Sequence, residues 1–222
     1  MFKKYSSYLL LGNMLYHYSK FFNWYLGDTQ IQIENAFVLG LLAFISGLAF
    51  ILFVHMSYFP KKLVDSAEIP TFPPLIMLFS LNLGFLIGIS NLYIFQLYKL
   101  PSIFDIFRSY EYGVIILLIS LGLIHLSVGL FRRYSEDPNP ITESNKLIIG
   151  GIYKYTRNPM YLALVMFQLG IGMSLSFIHI SLMAPLTMIV LDYYVIKREE
   201  AYLKTKFGDE YENYKKKSRR WI

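Results

Sequence analysis

Hydrophobic residues gather into six long stretches, at about residues 5–26, 35–56, 74–97, 112–131, 160–177 and 179–196. Polar and charged residues collect in the connections between them and in the tail. The second, third and fourth stretches are long and charge-poor enough to cross a bilayer as helices. The first contains Asn13, His17 and Lys20 and is rich in Tyr, so it either spans the membrane or lies in its interface. The last two form one run from Met160 to Ile196 with a single acid, Asp192, and no base. At 1.5 Å per residue, about 35 residues cross a hydrocarbon core of roughly 30 Å nearly twice. The expectation is an antiparallel helical hairpin with its tip near Ser176–His179. Pro185, inside the second arm, is expected to kink it. A hairpin returns the chain to the face it left. Arg157, just before the run, and Glu199 and Glu200, just after it, are therefore expected on one side.

The fold class that follows is all-α: a polytopic transmembrane helical protein of five to six spans with a C-terminal helical hairpin. Residues 1–130 supply the N-terminal spans, and 131–222 a loop, the hairpin and a tail. Composition agrees, with 55% hydrophobic residues, 16% charged and a mean hydropathy of +0.42. Soluble domains carry about 25% charged residues. The chain has no cysteine, which excludes disulfides, thiolate metal sites and a cysteine nucleophile. Its four histidines are scattered without metal-ligand spacing, so no metal is expected.

A net charge of +6 raises the question of a nucleic-acid partner. With six spans, however, 18 of the 21 Lys and Arg fall on one side of the membrane. These include Lys61 and Lys62, the 132–159 loop and the tail, against Lys20, Lys99 and Arg108 on the other side. The positive-inside rule explains this distribution without nucleic acid and puts the long loop and tail in the cytoplasm of an inner or plasma membrane. The opening Met-Phe-Lys-Lys and its apolar sequel lack a small-x-small cleavage site, so an uncleaved first segment is expected.

Chemistry gathers at the ends of the hairpin. Asn158-Pro159 is a helix-start signal, with Asn at the cap and Pro in the first turn. A helix beginning there directs backbone N–H groups and a partial positive charge toward the surface, and Arg157 adds a full charge. Together they suit a carboxylate or phosphate; alone, Arg157 is one more residue snorkelling to headgroups. Glu200 and Lys204 are spaced as a surface pair, which leaves Glu199 to point inward. Asp192, seven residues before Glu199, falls on nearly the same helical face, and a carboxylate within a span is a functional candidate. An anion site beside a cation site fits a zwitterionic amino-acid moiety.

The order Arg157-Asn158-Pro159-Met160-Tyr161, an apolar stretch, then Glu199-Glu200 resembles the signature of isoprenylcysteine carboxyl methyltransferases. These belong, with their bacterial relatives and the phospholipid methyltransferases, to one membrane methyltransferase superfamily. Gly151-Ile-Tyr153 before the signature, and Phe207-Gly-Asp-Glu-Tyr211-Glu-Asn-Tyr214 and Arg220 after it, extend the similarity over roughly residues 131–222. The resemblance implies an S-adenosylmethionine-dependent enzyme acting on a lipophilic or membrane-embedded acceptor, an isoprenylcysteine-type carboxylate first among them. It also implies that Tyr153, Tyr155, Arg157, Asn158 and Tyr161 line the cofactor pocket and that Glu199 and Glu200 hold the cofactor ammonium. Arg157, Glu199 and Arg220 are the implied catalytic residues, Arg220 by orienting the acceptor. Asn158 stands where the animal enzymes have His, which bears on the acceptor more than on the cofactor. In-line methyl transfer draws chiefly on proximity and alignment, and a carboxylate acceptor needs no general base.

Phospholipid amines and small thiols remain alternative acceptors. A sterol-reductase-like nicotinamide enzyme shares a related C-terminal Arg-x-Pro-x-Tyr element but is generally larger. A transporter or assembly subunit would use polar residues within the spans, here Asn82, Asn91, Gln96, His125 and Gln168. Such residues also bond helices to one another.

Overall fold

The hydrophobic stretches become helices in the order the sequence predicts. The computed structural model describes residues 2–27, 33–60, 65–95 and 101–222. Helix α1 is Phe2–Leu26, α2 Ile33–Tyr58, α3 Pro73–Ser90, α4 Tyr110–Tyr134 and α5 Pro159–Ser174. The returning arm of the hairpin consists of α6 (Ile178–Leu182) and α7 (Ala184–Leu191), followed by α8 (Lys197–Phe207) and α9 (Asp209–Lys217). Lys61, Lys62, Gln96 and Lys99 lie outside the described residues.

Among the described residues, four helical stretches are long and apolar enough to cross a membrane: Asn35–Tyr58, Pro73–Phe95, Tyr110–Tyr134 and Ile178–Phe207. The protein is an integral membrane protein. Helix α5 is shorter, at 16 residues. Helix α1 follows α2 antiparallel: Lys3 Nζ donates to the Ser57 carbonyl at 3.1 Å, and Phe21 faces Gly40 near the other end. It thus runs alongside one of these four stretches, and is itself more polar than they are.

The tip of the hairpin is where the sequence places it. Ser176 adopts a left-handed conformation, φ 52°, ending the outgoing arm, and Phe177 begins the return. The arms then pack closely, because Gly172 leaves room that a Cβ would fill 2.3 Å from Ser181 Oγ. Phe177 inserts among Phe21, Phe22 and Phe85, so the tip is anchored to α1 and α3. Pro185 does not kink a continuous helix. The chain breaks at Met183, and Pro185 occupies the first turn of α7, where a missing N–H removes no helical bond.

Polar residues within the bundle bond helices together. Gln168 on α5 donates to Ser80 Oγ on α3 at 3.2 Å, and Thr187 on α7 donates to Gln168 Oε1 at 2.6 Å. Asn82 accepts from Tyr18 of α1 and donates to the Phe44 carbonyl of α2. Helix α4 packs on α5 through Gly113, Ser120 and Ser127, a heptad-spaced stripe of small residues, while Ile115, Leu118, His125 and Leu126 face outward.

Candidate active site

The hairpin brings Arg157 and Glu200, 43 residues apart, into contact: Nη2 donates to Oε1 at 3.0 Å. The register that presents Glu200 comes from Asp192–Ile196, which forms a π-helical turn between α7 and α8. A π turn accommodates one residue more than an α turn. The residue stacked above Asp192 therefore lies eight positions on, at Glu200, instead of seven, at Glu199. Arg220 occupies the gap, with Nη1 3.3 Å from both Asp192 oxygens and Nη2 2.6 Å from Glu200 Oε2. The pairing of Asp192 with Glu199 expected from plain helical geometry is thus corrected.

Glu200 is buried and saturated. Its Oε1 accepts from Arg157 Nε and Nη2 and from Arg220 Nε, and its Oε2 from Arg220 Nη2. It makes no pair with Lys204, which reaches Glu212 at 2.9 Å instead. Arg157 is equally committed, because its Nη1 donates to the carbonyls of Lys215 and Ser218. The open anion site expected at Arg157 is therefore closed by Glu200 and the tail. The hydrogen bond to Glu200, with the field of both acids, raises the pKa of Arg220 further.

Glu199 differs from its neighbour. Its Oε2 accepts the Tyr161 hydroxyl at 2.7 Å, and among the described residues it has no cationic partner. A carboxylate facing a cavity with only a neutral donor is suited to receive a cation.

The tail crosses beneath these residues as a short strap. Arg219 forms a parallel bridge with Thr156: Arg157 N donates to the Arg219 carbonyl at 2.8 Å, and Arg219 N to the Tyr155 carbonyl at 3.3 Å. Asn158 stands at the cap position of α5, yet its side chain does not cap the helix. It donates to the Arg220 carbonyl at 2.8 Å, and Thr156 Oγ1 accepts the Asn158 N–H. Satisfying the buried strap carbonyl takes precedence over the cap. Gly208, φ 52°, ends α8, and α9 returns to pack Tyr211 and Tyr214 beside Tyr153, whose carbonyl accepts from Tyr214 at 2.7 Å. Burial raises the pKa of all three phenols, so they stay neutral at neutral pH.

Tyr153, Arg157, Asn158, Tyr161, Glu199 and Glu200 line one cavity of about 60 Å³. Tyr155 does not: it is 74% exposed and turns toward a different surface. Arg220 stays behind the wall and touches Glu200 from outside. Lys146, Tyr211, Tyr214 and the Asp137–Pro140 turn also line the cavity, and none was singled out as a site residue in the sequence. The two tyrosines were legible only as surroundings of the signature, and the turn only as a turn, held by Asp137 Oδ1 accepting from Asn139 N at 2.9 Å. Lys146, whose Nζ donates to the Tyr134 carbonyl at 3.1 Å, carried no signal among so many bases. Pro138, Asn139, Pro140, Met160 and Tyr161 form a partition. Beyond it lies an apolar cavity of about 400 Å³, bounded by the start of α3, Ile124 of α4 and Leu164 of α5.

A sequence profile of the phospholipid methyltransferase family matches residues 110–210, which hold α4, the loop, the hairpin and α8. Protein-S-isoprenylcysteine O-methyltransferase of Schizosaccharomyces pombe is 29% identical over 126 residues, 55% of this chain and 52% of that protein. Both matches support membership of this membrane methyltransferase family. An uncharacterized protein of Haemophilus influenzae is 40% identical over 67 residues, 28% of this chain and 100% of its own length. The match thus spans about half of the yeast enzyme and all of the short bacterial protein. The helix ends that carry Arg157-Asn158-Pro159-Met160-Tyr161 and Glu199-Glu200 meet at this cavity.

Proposed function

We propose that the protein is a membrane methyltransferase that takes its methyl group from S-adenosylmethionine and gives it to a lipophilic acceptor, an isoprenylcysteine-type carboxylate before any other. The observation that carries the reading is the placing of Glu199. It faces the polar cavity with one oxygen on Tyr161 and no counter-charge among the described residues, while the adjoining cavity is apolar. The residues fit such a cofactor. Glu199 would hold its ammonium and Lys146 its carboxylate, a division that replaces the expected pair of Arg157 with both glutamates. Tyr153, Asn158, Tyr211 and Tyr214 would enclose the rest. When bound, the cofactor supplies a methyl on a positively charged sulfur.

The protein's part is to hold and to exclude water. Glu200 fixes Arg157 and Arg220, and with them the strap, so the cavity floor is rigid before any ligand arrives. A space of about 60 Å³ is far below the roughly 300 Å³ or more of small-molecule pockets. Binding therefore requires the 137–146 loop to withdraw and close again, a lid in the ordinary sense. Withdrawal of Pro138–Pro140 would also join the polar cavity to the apolar one, bringing acceptor and donor together. The polar side faces the cytoplasm on this reading, because the loop and tail carry the basic residues.

Transfer of labelled methyl from S-adenosylmethionine into membrane lipid extract tests the function. A carboxyl methyl ester releases its label as methanol in mild base. Label that resists base would indicate a methylated amine or thiol, and no transfer from this donor would refute the reading.

A further inference from the structure

On the outer side of the strap lies a second cavity, of about 510 Å³, that the candidate active site does not use. Leu123 of α4, Leu162 of α5 and Trp221 provide an apolar lining that runs along two bundle helices, and Lys154, Lys217 and Arg219 stand beside it. No acidic side chain lines it. Several bases nearby are matched: Arg157 and Arg220 by Glu200, Lys204 by Glu212, and Lys206 by Asp65 and Glu143, whereas Lys215 and Lys216 on α9, outside the cavity, make no ion pair with a described acid. The side chains of Lys154, Lys217 and Arg219, at the cavity, likewise make no ion pair with any described acid. Three uncompensated cations at the end of an apolar channel in a membrane protein call for an amphiphile with an anionic head.

We propose that this cavity binds an anionic phospholipid, its phosphate among Lys154, Lys217 and Arg219 and an acyl chain along Leu123, Leu162 and Trp221. The site is independent of the methyl acceptor. A free phosphate would satisfy the cations and leave the apolar lining uncovered, so a lipid is the better match. Arg219 is tied through its backbone to Tyr155 and Arg157. A headgroup bound there steadies the strap that carries Arg220 to Glu200.

The chain has two tryptophans, and Trp24→Phe leaves Trp221 as the reporter inside the cavity. The protein is reconstituted in phosphatidylcholine nanodiscs with a small fraction of dibrominated phosphatidylglycerol or dibrominated phosphatidylcholine. Quenching of Trp221 by the anionic lipid should give a relative association constant at least about fivefold higher, the equivalent of about 1 kcal/mol. Lys154→Gln/Lys217→Gln/Arg219→Gln, all at exposed positions, should abolish the preference. Lys215→Gln/Lys216→Gln, on exposed positions of α9 outside the cavity, should keep it. Equal quenching by both lipids, or equal loss in the two sets of variants, would reduce the effect to general attraction of the basic face and overturn the proposal. Displacement of the brominated lipid by millimolar glycerophosphate would assign the cations to a soluble anion and overturn it as well.

Discussion

Glu200 accepts four hydrogen bonds from two arginines, whereas Glu199 accepts one among the described residues, from the neutral hydroxyl of Tyr161. The difference in partners sets opposite expectations for the same substitution. Glu200→Gln leaves Arg157 and Arg220 short of a counter-charge in a buried place, where breaking an ion pair costs about 3 kcal/mol. Glu199→Gln removes a charge that the fold leaves unpaired, so stability should change by less than about 1 kcal/mol and can rise. Thermal unfolding of the two variants in detergent separates them. Similar midpoints would mean that the Arg157–Glu200–Arg220 cluster contributes little to holding the tail. None of this division was legible in the sequence, where two adjacent acids at the end of a span look alike. What decides it is the position of Arg220, 20 residues farther on in the chain.

At the scale of elements, the π turn at Asp192–Ile196 is the feature on which the register depends. Deleting Tyr194, an exposed residue within it, should restore α-helical geometry and keep α8 in register, because Glu200 then stands seven positions, two α turns, after Asp192. The deletion variant should therefore keep both its helical circular dichroism and the Arg157–Glu200 contact. A cysteine cross-link designed between the two positions reads this: it should form both with the turn and in the deletion variant. Loss of the cross-link in the deletion variant would show that the turn is not a one-residue excess that brings Glu200 over Asp192. The seam between α4 and α5 makes a second claim. A Cβ on Gly113 would lie 2.4 Å from Ser174 N, whereas one on Gly122 meets nothing within 4 Å. Gly113→Leu should therefore destabilise by about 2 kcal/mol or more, and Gly122→Leu, on the exposed face of the same helix, by little. Equal midpoints for the two would contradict close packing at that seam. Hydrophobic length announced the helices and the hairpin tip, because burying an apolar run is a property of the run itself. The π turn, the break at Met183 and the use of Asn158 were not legible, because each answers to atoms contributed from elsewhere in the chain.

For the molecule as a whole, the fold serves to bring three distant segments to one end of the bundle: the entry to α5, the start of α8, and the strap. The strap is held by side chains and by a single bridge, so it should be the first part to open. Arg220→Ala removes both acidic contacts of the strap, and tryptic cleavage after Lys217 and Arg219 should quicken about tenfold while the hairpin stays intact. An unchanged cleavage rate would show that the backbone bridge alone retains the strap. On the proposed function, Glu199, and not its neighbour, offers the cavity a carboxylate for a cationic ligand. Calorimetric titration of wild type and Glu199→Gln with S-adenosylmethionine tests it most directly. Wild type should bind, and Glu199→Gln, with its thermal midpoint preserved, should lose affinity by about a hundredfold, as expected when a charge-assisted contact of roughly 3 kcal/mol is removed. Equal affinity in the two proteins would take Glu199 out of the site, and absence of binding by wild type would contradict the account as a whole.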